Sequence, residues 1–430
     1  MNMPTLPPLP RLTVAIDGLA ASHRLILLPP ARTLPETLPE REFWLGLLKR
    51  KRMKAEELAK TPLAADLPDG ARASLAMIDP KKPRFERLTA LRKAASLLDE
   101  APRTLAIMSL GIDDDTLRDA LYVALVNGVP LPQRKKKPAR RLAEIVLPRL
   151  PAGAGDCVAL ARANLLAREL TALPPNALTP ATYRKRIRKL AKTRGWDIEE
   201  FGFGGLKKMG AGAFCAVAQG SRHEDAAIVR LSFRPKGAKK RIALVGKGIC
   251  FDTGGHDLKP AKYMAGMHED MNGSAVALAL MQAAGDLHLP VAIDCWLAIA
   301  HNHLSPEAYA QGDIVTALDG TTIEVVHTDA EGRMVLADTL VLATRGKPDL
   351  VIDFATLTGS MHTALGSRQS GVFACNDTLG TLAVEAGVAS GERVCRFPLD
   401  EDYEAALDSK VADILQCTME GAADHILAER

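Results

Sequence analysis

Apolar and polar positions change rhythm along this chain. In the first 150 residues, short apolar runs alternate with stretches in which apolar residues recur every three or four positions. The runs at 12–16 and 104–110 predict strands, and the periodic stretches at 40–51, 88–98 and 115–127 predict helices. Such alternation predicts a small α/β domain. Pro130-Leu131-Pro132-Gln133 and the basic tract after it mark its exit, and prolines 148 and 151 with glycines 153 and 155 mark the next boundary. The expected division is an N-terminal α/β domain at 1–130, a basic, proline-rich connection at 131–155, and a C-terminal catalytic domain at 156–430.

Beyond residue 156 the pattern predicts a long helix to 173, stopped by Pro174-Pro175, and a second opened by Thr179 as N-cap with Pro180 at the first helical position. Strands are predicted at 196–203, 226–233, 241–245, 291–298, 314–317, 321–326, 350–354 and 371–375. Helices are predicted at 273–287, 334–344 and 379–388. Continuous apolar runs such as Leu350-Val351-Ile352 suit strands covered on both faces. The expected fold class is therefore α/β, with a C-terminal mixed, largely parallel sheet sandwiched by helices. Asp319-Gly320 marks a hairpin. Ligands of such sheets bind beyond the carboxyl ends of the strands.

Composition narrows the class. With 47% hydrophobic and 25% charged residues, the chain has the balance of a soluble globular protein. No run of about 18 apolar residues predicts a transmembrane helix, and proline-rich residues 1–10 lack the pattern of a secretory signal. The default expectation is a cytoplasmic protein without a membrane partner. Seven cysteines, scattered and without C-x-x-C spacing, read as reduced thiols, and Cys250 as a small buried hydrophobe. The formal charge of +4 owes much to two tracts, at 134–141 and 184–189.

Candidate chemistry gathers in three places. His327-Thr328-Asp329-Ala330-Glu331-Gly332-Arg333 brings two carboxylates and a guanidinium together after a β-branched run. Read as extended chain, it would aim Asp329 and Glu331 the same way, with Ala330 and Gly332 keeping the turn open. Upstream, 246–255 reads as a glycine-rich loop carrying Lys247 and Asp252, and Asp270 follows in Met267-His268-Glu269-Asp270-Met271-Asn272-Gly273. Acids with one amine, and no cysteine or histidine ligand, favour manganese, magnesium or zinc. His301-Asn302-His303, two histidines without a third ligand in range, reads as a loop.

These motifs, with Leu258-Lys259-Pro260 and Ala355-Thr356-Leu357-Thr358-Gly359, resemble the leucyl (cytosol) aminopeptidases, a family of two-metal exopeptidases. The resemblance runs from about residue 156 to the end and matches six of the seven positions of the family's Asn-Thr-Asp-Ala-Glu-Gly-Arg signature. It implies a metal-dependent aminopeptidase with two divalent ions per chain, manganese or zinc, with magnesium an alternative at one site. Lys247, Asp252, Asp270 and Glu331 would hold one ion and Asp252, Asp329 and Glu331 the other, roughly 3.5–4 Å apart. Lys247 would bind as a neutral amine. Lys259 would stay protonated and stabilise the oxyanion, and Arg333 would hold a bicarbonate that shuttles the proton. Thr356, Leu357 and Gly359 would supply backbone acceptors and pocket wall, and Met267 would line the pocket for the first side chain. The implied substrates are peptides with a free N-terminus, and the implied assembly is a homo-hexamer.

This chain departs from the family at four places. His327 replaces an asparagine with a ring that can carry charge near pH 6.5. Asn272 stands where glycine is usual, Ser274 where alanine is usual, and 418–425 replace a glycine-rich stretch, so a leucine preference does not follow. The alternative from another class is a DNA-binding hexameric assembly protein using the tract 134–141. That tract lacks aromatic residues for stacking and better suits a solvated connector.

Overall fold

A computed structural model describes residues 8–15, 20–98, 103–221 and 225–430. The chain forms two compact units, one of residues 4–165 with 382–394 and the other of 166–381 with 395–430.

The first unit is a six-stranded sheet of β1 (Arg11–Val14), β2 (His23–Leu28), β3 (Leu63–Asp66), β4 (Arg72–Met77), β5 (Thr104–Ser109) and β6 (Glu144–Leu147). Their spatial order is β1-β6-β5-β2-β4-β3, parallel except for the antiparallel edge pair β3–β4. Leu25 and Leu27 of β2 pack with helices α2 (Arg84–Ser96) and α3 (Asp114–Asn127), while Ile26 and Leu28 pack with Trp44 and Leu48 of α1 (Arg41–Lys51). Alternate residues of one strand thus feed opposite cores, as a pleated sheet requires. The expected strand at 12–16 is Arg11–Val14, and Ile16 lies outside the described residues. Within the segment read as a connection, Glu144–Leu147 is a strand of this sheet, and the basic tract at 134–141 is irregular and mostly exposed.

Helix α4 (Ala154–Thr171) leads to the second unit, and α5 (Pro180–Arg194) follows. Thr179 caps α5, its hydroxyl accepting the Thr182 N–H, as the Thr-Pro signal predicts. A five-stranded sheet is then built from β7 (Asp197–Gly202), β8 (Ala227–Phe233), β9 (Lys240–Asp252), β10 (Val291–Asn302) and β13 (Leu350–Phe354), in the order β13-β9-β10-β8-β7. β13, β9 and β10 are mutually parallel, and β8 and β7 add antiparallel pairings. Between β7 and β8 lie α6 (Phe203–Met209) and the wholly apolar α7 (Gly212–Ala218). The glycine density of this stretch hid both helices from the sequence pattern. Packing holds α7 in place, and the buried carboxylate of Asp338 accepts its Phe214 N–H at 2.8 Å.

On one face of the sheet, Ala243, Val245, Ala298 and Ala300 pack with α7 and with α10 (Glu331–Arg345). On the other, Leu244, Leu297 and Ile299 pack with α5 and with α9 (Asn272–Asp286). Short helix α8 (Ala261–Met264) precedes α9. The hairpin β11 (Ile314–Thr316) to β12 (Thr322–Glu324) forms at the expected Asp319-Gly320, with Gly320 at φ 99°.

Three local readings are corrected. The expected glycine-rich loop at 246–255 is strand in its first part, because β9 continues to Asp252, and turns only at 253–255, where Gly254 and Gly255 take φ of 89° and 66°. A Cβ on Gly246 would stand 2.5 Å from Ser274 Cα, and one on Gly248 would stand 2.8 Å from Ala298 O. These glycines therefore admit neighbouring backbone instead of forming a turn. His301-Asn302 closes β10 and is not a loop, and the His301 and His303 rings stack with centroids 4.3 Å apart. Finally, Asp329 and Glu331 do not share an extended segment. Asp329 sits in a turn closed by Ala330 N–H to His327 O at 3.0 Å, and Glu331 begins α10.

Candidate metal centre

Parallel pairing of β13, β9 and β10 places their carboxyl ends side by side, and the sequence-predicted acids collect there. Asp252 is the last residue of β9. Asp270 follows the 3-10 turn Met267–Glu269 just before α9, and Asp329 and Glu331 arrive at the start of α10. Lys247 points from within β9 to Glu331 Oε1 at 2.7 Å, Asp270 Oδ1 at 2.9 Å and the Thr356 carbonyl at 2.8 Å. Gly332 makes room for it, since a Cβ there would lie 2.7 Å from Lys247 Nζ. Lys259 Nζ lies 2.9 Å from Asp252 Oδ2 and 2.5 Å from Asp329 Oδ1. Carboxylate oxygens of Asp252, Asp329 and Glu331 all fall within 4.8 Å of one another.

The electrostatics follow from that crowding. Four carboxylates face two ammonium groups, so two formal negative charges stay uncompensated in a largely buried site. Burial, then repulsion from Asp252, pushes Asp329 up to about 7. The same two causes raise Glu331, and Asp270 rises well above the carboxyl range through burial despite Lys247 beside it. Burial opposes charge on Lys247, but Asp270, Glu331 and Asp252 outweigh it and raise its pKa. Lys259 behaves likewise, with burial overcome by Asp252 and Asp329. Cys250, by contrast, is an inert buried thiol, its pKa raised by desolvation.

Divalent cations fit this donor set. Asp270 Oδ2 is buried without a hydrogen-bond partner, and hard carboxylate oxygens with an excess of negative charge suit manganese, zinc or magnesium. Lys247 can join such a set only after losing its proton, which a bound dication favours.

The other expected residues are also placed. The Thr356 hydroxyl donates to Asp270 Oδ1 at 2.6 Å. Leu357 packs on the core beside α10, Met267 is half-buried in the turn before Asp270, and Gly359 opens helix α11 (Gly359–Leu365) with free space around it. Arg333 donates to the Gln416 carbonyl at 3.2 Å and lies 3.5 Å from Asp424 Oδ1. His327 Nδ1 accepts the Asp329 N–H at 3.2 Å. Asn272 binds Thr171 Oγ1 at 2.9 Å, and the Ser274 hydroxyl donates to the Met271 carbonyl at 2.7 Å.

Sequence reasoning missed the residues that hold this cluster. Buried Asn302 donates to Asp252 Oδ1 at 2.8 Å and to Thr328 O at 3.1 Å, and Tyr309 OH donates to the same carbonyl at 2.6 Å. The Thr328 hydroxyl donates to Gly254 O at 2.6 Å, while Asp257 Oδ2 accepts the Thr328 N–H at 2.7 Å. The polar end of a mostly apolar β10 was the one available signal for Asn302. Its partner became legible only through register, which sets Asn302 opposite Asp252 across a bulge.

Fold and site together define an α/β protein with a buried carboxylate–lysine centre at the carboxyl ends of parallel strands. The model of the cytosol aminopeptidase family's catalytic domain matches residues 165–430, and the chain belongs to that family. It is 43% identical to a probable cytosol aminopeptidase of Stutzerimonas stutzeri (strain A1501) over 262 residues, which are 61% of this chain and 53% of the relative. It is 42% identical to a probable cytosol aminopeptidase of Roseiflexus castenholzii over 260 residues, or 60% of this chain and 53% of that one. The chain thus spans about half the length of these curated relatives. A solved structure described as the bottromycin maturation enzyme BotP in complex with Mn superposes with a TM-score of 0.83 at 31% identity, covering 95% of this chain and 88% of that one.

Proposed function

We propose that this chain is a metal-dependent aminopeptidase that removes N-terminal residues from peptides. The observation that carries the reading is the buried cluster of Asp252, Asp270, Asp329 and Glu331 around Lys247 and Lys259, with three of the acids close enough to share ions. Membership of the cytosol aminopeptidase family supports it, and the Mn complex of a relative supports manganese among the candidate ions. The relatives' name favours a cytoplasmic location.

Lys247, Asp252, Asp270 and Glu331 would hold one divalent ion, and Asp252, Asp329 and Glu331 a second. Together these ions would supply Lewis acidity toward a peptide carbonyl and an activated water. Lys259, 2.9 Å from Asp252 Oδ2 and 2.5 Å from Asp329 Oδ1, would donate as an ammonium to the oxygen that gains charge as the carbonyl turns tetrahedral. The backbone acceptors of Thr356, Leu357 and Gly359 orient the substrate, and Met267 contributes apolar wall to the first-residue pocket. Arg333 offers a guanidinium for the bicarbonate that would carry the proton. A free α-amine would complete recognition as a neutral ligand, which an acylated nitrogen cannot do.

Metal analysis beside an aminoacyl-amide panel tests the reading. About two divalent ions per chain are expected, with turnover abolished by chelation, restored by Mn²⁺ or Zn²⁺, and absent on N-acetylated peptides. Turnover that survives exhaustive chelation, or equal rates on blocked and free peptides, would refute it.

A further inference from the structure

The segment between β12 and α10 carries Asp329 and is closed on itself by the Ala330 N–H to His327 O backbone bond and by the Asp329 N–H to His327 Nδ1 bond. Gln416, from a distant part of the chain, satisfies other polar groups of this backbone. Its Oε1 accepts the N–H groups of Val326 and His327, each at 3.1 Å, and its Nε2 donates to Ala330 O at 3.0 Å. Two donors on the oxygen side and an acceptor on the nitrogen side fix the amide orientation. Its own N–H donates to Glu324 O at 2.9 Å, extending the parallel pairing of Ile414–Leu415 with β12. The residue is only 4% exposed, so water does not replace these bonds freely.

These contacts bracket Asp329. The two N–H groups precede it, and the carbonyl lies between it and Glu331. We propose that Gln416 is a positioning residue of the metal centre, clamping both ends of this turn so that the Asp329 and Glu331 carboxylates keep the spacing that shared divalent ions require. The proposal rests on the divalent-metal reading above. Outer groups that orient metal ligands affect affinity by roughly 10- to 100-fold.

The test is Mn²⁺ affinity of the full chain, read from the free-ion electron paramagnetic resonance signal, together with circular dichroism and melting of the chelated protein. Gln416→Met leaves two N–H groups and one carbonyl without partners, and is expected to weaken Mn²⁺ binding roughly 10- to 100-fold while the chelated chain stays folded. Gln416→Glu restores the acceptor but sets a carboxylate oxygen against Ala330 O, and is expected to fall between the two. A folded Met variant that binds Mn²⁺ as tightly as wild type overturns the proposal, even if its chelated form melts earlier, because Gln416 would then be a structural staple alone. If the Met variant does not fold, the Glu variant decides: weaker binding supports the clamp, and wild-type binding overturns it. Absence of Mn²⁺ binding by the wild-type chain itself overturns the metal reading and this proposal with it, a result distinguishable from a defect confined to the variants.

Discussion

Lys247 and Lys259 have the same charge and the same four-carbon stem, but their surroundings differ. Lys247 is fully enclosed between Asp270, Glu331 and the Thr356 carbonyl, whereas Lys259 keeps some exposure and faces Asp252 and Asp329. Lys247→Met is therefore expected to lose or weaken one metal ion. Lys259→Met should keep both and lose on the order of 10²–10³ in kcat. Metal analysis with steady-state kinetics separates them, and the reverse pattern would assign the two lysines the other way round. His327 carries a second residue-scale expectation. Its Nδ1 accepts the Asp329 N–H, a service that an asparagine side-chain oxygen performs in an Asx turn. His327→Asn should leave Mn²⁺ content unchanged, and His327→Leu should lower it. Equal metal content in both variants would mean that this hydrogen bond does not matter.

Strand β9 shows what an element contributes. Its glycines read in sequence as loop, but Gly246 lies under the first turn of α9 and Gly248 beside the backbone of β10, where added carbons would collide. Gly246→Ala must push Ser274 or the strand aside, and overpacking of this kind costs about 1–3 kcal/mol. Gly359, at the start of α11, has open space, so Gly359→Ala should change stability by no more than about 0.5 kcal/mol whatever it does to substrate binding. Denaturant melts of the two variants check the contrast. A Gly246→Ala chain as stable as wild type would show that the contact between β9 and α9 relaxes at no cost.

For the whole molecule, the acid cluster links stability to pH and metal. A carboxyl whose folded-state pKa is raised stabilises the fold while it is protonated, and that contribution is lost as pH rises through the folded-state value. For Asp329 the loss runs from the ordinary carboxyl range up to about 7, with Glu331 and Asp270 shifted in the same direction. Divalent ions bound as proposed would replace those protons and favour the folded state. The gap in melting temperature between Mn²⁺-loaded and chelated protein is thus expected to be wider at pH 8 than at pH 5. A gap that is constant or shrinks with rising pH would rule out this linkage.

The sequence by itself determined much of the fold class and the membership of the centre. Lys247, Asp252, Asp270, Asp329 and Glu331 were legible because acids with one amine gather in short motifs, Lys259 only through the resemblance to the aminopeptidase family, and the parallel strands because their apolar runs are continuous. Hidden elements had their cause in packing: α7 is held by Asp338 and a surrounding core, and β9 continues through glycines that only a neighbouring helix explains. The clamps were hidden for the same reason. Asn302 meets Asp252 through strand register, and Gln416 reaches Val326, His327 and Ala330 from a segment nearly ninety residues away. Hydrogen bonds between distant segments leave no periodicity in the chain. Tertiary structure therefore decided how these acids are aimed, while local residue chemistry had already decided which acids they are.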